Sequence, residues 1–351
     1  MRPWSAMSRV AEVLRSSYRS QVLLGLALSG GLSGAWVQAL ADPGIDAGAA
    51  AQLARMASAA DNLDYQGTLV YLADNRLETL HIVHRVSGGE VAERLVSLSG
   101  PVRALARRRD EVTCALSDDR SISVKRQAAL PTLLKSTTID PAVLSANYFV
   151  HPLGETRVAG RDTDVVGVVP RDDYRYGYRF YLDRKTGLSL KSDLMGNGGI
   201  PVEQVMFATV QFGATEVAPE GLADPVVSRP TDSPAYVLDQ ASDPAATDFS
   251  PWRFETLPPG FALRMRDTLP GGPDGTGGQV EHFLVTDHLA SMSVFVEDAA
   301  QSGLDGPTRI GAVHAIGGRI AGYQVTVVGQ VPAETVAAVL AGLRHTAGGQ
   351  Q

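Results

Sequence analysis

The chain has 351 residues, 44% of them hydrophobic, with 36 Gly and 20 Pro, a length that predicts two domains each burying a core rather than a disordered chain. The first 41 residues hold four of its 31 basic groups and one of its 38 acidic ones, so residues 42 to 351 carry 27 against 37, a net charge of −10, which argues against a nucleic-acid partner. Cys114 is the only cysteine, which excludes an intramolecular disulfide and a cysteine-based zinc cluster.

Residues 1–41 read as an export signal. Arg2, Arg9, Arg15 and Arg19 form a basic leader, "VLLGLALSGGLSGAW" an apolar stretch, and "ALA" at 39–41 a small-residue cleavage site, which places the cut after Ala41. A transmembrane anchor is the competing reading, but the apolar run is short and broken by Gly. The long leader leaves Met7 as an alternative start.

Past the signal, "DAGAAAQLARMASAADN" (46–62) predicts a helix capped by Asp46, with Leu53, Met56 and Ala60 on one face. An antiparallel meander is expected next. "YQGTLVYL" and "RLETLHIVHRV" are joined by "ADN", then "SGG" leads to "EVAERLVSL", and "VRALA" is followed by "RRRDE" and "VTCAL". Cys114 sits in the last of these as a buried structural thiol. His81 and His84 invite a metal reading, but three residues apart on a strand they face opposite sides of the sheet, so no metal is expected there.

Arg103, Arg107, Arg108 and Arg109 stand together in an acidic chain and are anion-binding candidates for a phosphate or carboxylate. The competing reading is a solvated hairpin tip, offset by Asp110 and Glu111. A short helix is expected near 141–147. Strands follow at "YRYGYRFYL", at "LSLKSDL" after the turn "DRKTG", and at "PVEQVMFATVQFG".

These strands do not look one-sided. Leu69 and Tyr71 share a face, as do Tyr174, Tyr176, Tyr178 and Phe180 (opposite Arg175 and Arg179), and Met206, Ala208, Val210 and Phe212 (opposite Phe207). Covering helices and a second domain explain this simply. The alternative is an incompletely closed barrel whose concave face takes an apolar ligand, for which Leu69, Tyr71, Tyr174, Tyr176, Tyr178, Phe180, Met206, Val210 and Phe212 are the candidates.

A Pro-rich linker spans 214–250. The domain after it reads as strand, turn, strand, the loop "GGPDGTGG", a hairpin, two more strands in "TRIGAVHAIGGRIAGYQVTVVGQ", and a closing helix. That helix has Pro332 in its first turn and carries Val336, Val339, Leu340 and Leu343 on its apolar face. A small sheet with one helix leaves apolar surface over, and Phe283, Val285, Tyr323, Val325 and Val327 are the partner-binding candidates.

Nucleophile-elbow, P-loop, HExxH and dinucleotide fingerprints are missing from the sequence, so no catalytic residue, metal or cofactor is assigned and an enzyme is the weaker class.

"NLDYQGTLVYLADNRLETLHIVHRVSGGEVAERLVSLSGPVRALARRRDEVTCAL" resembles the N-terminal signature of the MucB/RseB family, and "VEHFLVTDHLASMSVFVE" and "GYQVTVVGQVPAETV" resemble its C-terminal domain. One departure is visible: where the family pattern has Gly after Asp287, this chain has His288, which tolerates a positive φ better than most residues. The resemblance implies a mixed, mainly antiparallel β (α+β) fold. Residues 42–213 would form a large half-open β-barrel like lipoprotein carriers, and 251–347 a small α+β C-terminal domain. It further implies a periplasmic regulator that binds the periplasmic region of a membrane-spanning anti-sigma factor and protects it from site-one proteolysis. Release would come from a lipopolysaccharide or acyl-lipid ligand, which gives the arginine cluster a use near lipid phosphates. The alternative is a periplasmic lipid or lipoprotein carrier, and a homodimer stays open.

Overall fold

The computed structural model describes residues 44–88, 90–99, 104–108, 111–115, 121–125, 144–213, 250–271, 277–298 and 303–346. The signal segment 1–41 with its cut after Ala41, Arg103, Arg109 and linker residues 214–249 lie outside them.

Helix α1 (Ala47–Asn62) starts where the cap predicts: Asp46 Oδ1 accepts from the Ala49 N–H at 2.8 Å. Leu53 and Met56 are buried, and Ala59 rather than Ala60 completes the stripe. Strands β1 (Tyr65–Ala73), β2 (Arg76–Ser87), β3 (Glu90–Ser97), β4 (Ala104–Arg108), β5 (Glu111–Ala115) and β6 (Ser121–Lys125) form the meander. After them come β7 (Tyr148–Val158), β8 (Arg161–Pro170), β9 (Gly177–Asp183), β10 (Ser189–Met195) and β11 (Pro201–Phe212). All eleven make one antiparallel sheet in the order β6-β5-β4-β3-β2-β1-β11-β10-β9-β8-β7, with β6 and β7 as its edges. The sheet is thus unclosed, and α1 packs against β7 and β8.

Strands β6, β7 and β8 have no counterpart in the sequence reading. The signal in β7 is masked by Pro152 and Gly154, which flank a register shift; a proline is tolerated there because β7 is an edge strand. Strand β4 also runs further than expected. Arg107 and Arg108 belong to its ladder, opposite Val112 and Glu111, and not to the hairpin tip. Cys114 lies in β5, paired with Leu105 and Ile122.

Both histidines of the opening meander lie on β2, as the strand reading requires. His84 is opposite Tyr65, stacks on its ring at 4.5 Å and keeps Nδ1 2.9 Å from the Leu63 carbonyl. His81 is opposite Thr68 and Val96, on the other face.

The C-terminal domain is a six-stranded antiparallel sheet ordered β13 (Ala262–Gly271), β14 (Gly277–Thr286), β15 (Ser291–Asp298), β18 (Tyr323–Gly329), β17 (Val313–Ile320), β16 (Gly306–Ile310). A short ribbon of β12 (Trp252–Phe254) and β19 (Leu343–His345) and helix α2 (Ala333–Gly342) complete it. The stretch read as two strands after the hairpin therefore holds three. Helix α2 lies against β17 and β18, and its Val336 and Val339 meet Phe283, Val285, Val294, Val325 and Val327 in one core.

The opposite face of this sheet carries His282, which is 5% exposed, stacked on Phe295 at 4.6 Å and 3.0 Å from Ser293 Oγ through Nε2. Burial holds its pKa below the ordinary 6.5, with Asp267 pulling weakly the other way. The folded chain therefore refuses a proton that the unfolded chain accepts, and stability falls as pH drops through 6.5. His282→Gln is expected to flatten that slope in unfolding titrations between pH 8 and 5; an unchanged slope would count against it.

The turn after β14 confirms the role given to His288, which sits at φ 82°. A left-handed residue with a side chain is strained relative to Gly. His288→Gly is thus expected to raise stability by about 0.5–1 kcal/mol, net of the extra freedom glycine gives the unfolded chain. Thermal unfolding checks this, and a lower midpoint would refute it.

Candidate functional site

Two apolar clusters line the large sheet, and the sequence-derived ligand residues divide between them. Leu69 and Tyr71 join Ile82, Leu95, Val205 and Phe207, with Val210 and Phe212 at the margin. Tyr176, Tyr178 and Phe180 join Leu53 and Met56 of α1 with Tyr148, Val150, Val166 and Val168. Tyr174 packs against the C-terminal core instead.

Met206 does not belong with Val210 and Phe212. The β1–β11 register shifts between Thr68 and Leu69, so that Leu69 faces Phe207 and Thr68 faces Thr209. The extra residue, Ala208, exchanges faces: Met206 is left exposed, while Val210 and Phe212 join Phe207.

On the C-terminal sheet, Phe283, Val285, Val325 and Val327 are buried at 1% exposure or less, and only Tyr323 is half-exposed. This corrects the expectation of a free face there, because α2 and the β12–β19 ribbon cover that row. A groove of about 290 Å³ lies at the β16–β17 end, lined by Pro307, His314, Ile316, Val336 and Ala337 among others. Of the arginine candidates, Arg107 and Arg108 occupy adjacent places in β4.

The most constrained polar site is one that strand alternation hid. Arg175 lies just before β9, so it is not on a wet strand face; it is completely buried. Its Nη1 donates to Asp287 Oδ2 at 2.6 Å, while Nε and Nη2 donate to the two oxygens of Asp172 at 3.0 Å each. Nη2 also donates to the Pro259 carbonyl, and the guanidinium lies over the Phe261 ring at 4.8 Å.

Asp287, in the β14–β15 turn, is equally buried. It accepts from the Tyr148 hydroxyl at 2.8 Å and, through Oδ1, from the N–H groups of Leu289 and Ala290 at 2.9 and 2.7 Å. Burial and the Asp287 charge push the Tyr148 phenol well above its usual range, so it stays protonated and donates. One cation against two carboxylates leaves a net −1, which these neutral donors offset.

The cluster joins the two sheets: Asp172, Arg175 and Tyr148 come from the large one, Asp287 and Pro259 from the C-terminal domain. Around it, Leu289 and Ala312 of the C-terminal domain enter the core of α1, Tyr148, Tyr178 and Phe180. Thr335 Oγ1 donates to the Tyr174 carbonyl at 2.7 Å, Gln330 Nε2 to Glu203 at 2.9 Å, and the Gly311 N–H to Asp74 at 2.8 Å. Asp172, three residues before Arg175, is a local signal that the strand reading passed over, but Asp287, 112 residues on, cannot be read from spacing.

The model of the MucB/RseB N-terminal domain matches residues 48–227, and that of the MucB/RseB C-terminal domain residues 246–344. The sigma factor AlgU regulatory protein MucB of Pseudomonas aeruginosa is 34% identical over 309 residues, covering 85% of this chain and 92% of that protein. The sigma-E factor regulatory protein RseB of Escherichia coli K12 is 26% identical over 287 residues, covering 81% and 87%. Among solved structures, the Pseudomonas aeruginosa MucA/MucB complex superposes with a TM-score of 0.63 at 29% identity, over 86% of this chain and all of that one. MucB in complex with MucA(peri) gives 0.60 at 31%, over 85% and 99%.

Proposed function

The chain belongs to the MucB/RseB family, and from that premise we propose that it is a periplasmic regulator that binds the periplasmic region of a membrane-spanning anti-sigma factor and shields it from site-one proteolysis. The observation that carries this reading is the match to MucB across both domains, together with the structure of MucB holding MucA(peri). The protein acts by occlusion and not by catalysis. Lipopolysaccharide or another acyl lipid is the release signal, bound among the apolar residues of the large sheet. Because the two ligands favour different states, each weakens the other by the same factor.

Partner binding is assigned chiefly to residues 251–347 and lipid sensing to 42–213. Export by the segment ending at Ala41 would deliver the chain to the same compartment as its partner; a reporter fused to residues 1–41 should be cut after Ala41, and an uncut membrane-held product would refute that.

The test of the function is direct. The mature full chain is immobilised, the purified periplasmic region of the cognate anti-sigma factor is passed over it, and lipopolysaccharide is added. Retention of the anti-sigma region, its protection from the site-one protease and its release by lipopolysaccharide are expected. Lipid binding with no retained partner would replace this reading with that of a carrier.

A further inference from the structure

The C-terminal domain reaches into the core of the large sheet through Ala312, between β16 and β17, and through Leu289 in the β14–β15 turn. Leu289 of that turn is part of the apolar cluster of Leu53, Tyr148, Tyr178 and Phe180, and is 8% exposed. Two residues before it, Asp287 is fixed by Arg175 and by the Tyr148 hydroxyl, and its other oxygen holds the turn closed through the N–H groups of Leu289 and Ala290. Tyr148 thus does two jobs: its ring lies in the apolar cluster and its hydroxyl in the polar one.

We propose that this turn is a plug in the half-open sheet, latched by Tyr148 and Arg175 through Asp287, and that an acyl chain enters the sheet by displacing it. The proposal rests on the regulatory reading above and supplies its missing link. A chain seated among Tyr178 and Phe180 competes with Leu289 for the same apolar space. Moving the Tyr148 ring also withdraws a donor from a cluster whose net charge is already −1, which weakens the hold on Asp287. Tyr148 and Arg175 are positioning residues for the C-terminal domain, and they bias one equilibrium that both ligands read.

Tyr148→Phe keeps the ring and removes the latch, and Leu289→Ala shortens the plug. In the full mature chain, both should bind lipopolysaccharide more tightly, Tyr148→Phe by about tenfold for the loss of one hydrogen bond to a charged group, and both should bind the anti-sigma periplasmic region more weakly as the latched population falls. Amide exchange at Leu289 and Ala290 should quicken in Tyr148→Phe, and in the wild type when lipopolysaccharide is added. Opposite shifts in the two affinities support the plug, since a variant that merely destabilised the fold would weaken both. Parallel losses, or no change in either, would overturn it while leaving the function intact. A wild-type chain that bound neither ligand would overturn the functional reading and the plug with it.

Discussion

Replacing Arg175 with Met is expected to destabilise the chain by about 3–5 kcal/mol, the cost of leaving a buried charge without its partner. The reason lies in what remains. Asp287 has no exposed surface, and without the guanidinium it keeps only the Tyr148 hydroxyl and two backbone N–H groups. Asp172 suffers less, since its side chain is 26% exposed and water can take over its oxygens. The double variant Arg175→Met with Asp287→Asn should recover more than half of the loss, because removing both charges is far cheaper than removing one. Denaturant unfolding of the three proteins measures this. An Arg175→Met chain within 1 kcal/mol of wild type would show that the cluster does not hold the domains together.

Phe283→Ala should cost a similar amount, about 3–5 kcal/mol, and for a different reason. The ring is 1% exposed, meets Phe254 edge-on at 5.7 Å and lies under the Arg266 guanidinium at 5.6 Å. Truncation leaves a cavity in the centre of the C-terminal core, whose walls are strands that cannot close on it. If Phe283 were instead a contact offered to a partner, the variant would unfold like the wild type and lose only affinity. Thermal unfolding without any partner separates the two: a midpoint shift below about 2 °C would restore the surface reading.

These two residues show where reading the sequence stops. Alternation placed Phe283, Val285, Val325 and Val327 correctly on common faces, since side-chain direction along a strand is a local property. Which face is covered is not local, and a single helix was expected to leave this row free when it covers it. In β11 even the local rule failed past Phe207, because the bulge that moves Met206 away from Val210 is fixed by the partner strand β1. Strand β7 was missed for a related reason: Pro152 is a poor strand residue everywhere except on an edge, and edges exist only once the sheet is assembled.

By itself, the sequence determined the helix at 47–62 with its Asp46 cap, the strand character of the His81–His84 segment, the left-handed turn residue at His288 and the family. Each is set by contacts within a few residues or by a long run of similar ones. Only the tertiary structure decided that Arg175 is a buried cation and that the β14–β15 turn enters the core of the large sheet. Those features depend on residues more than a hundred positions apart. A charge in so apolar a place is tolerated only where its counter-charges meet it, and that meeting is made by the packing of one domain against the other.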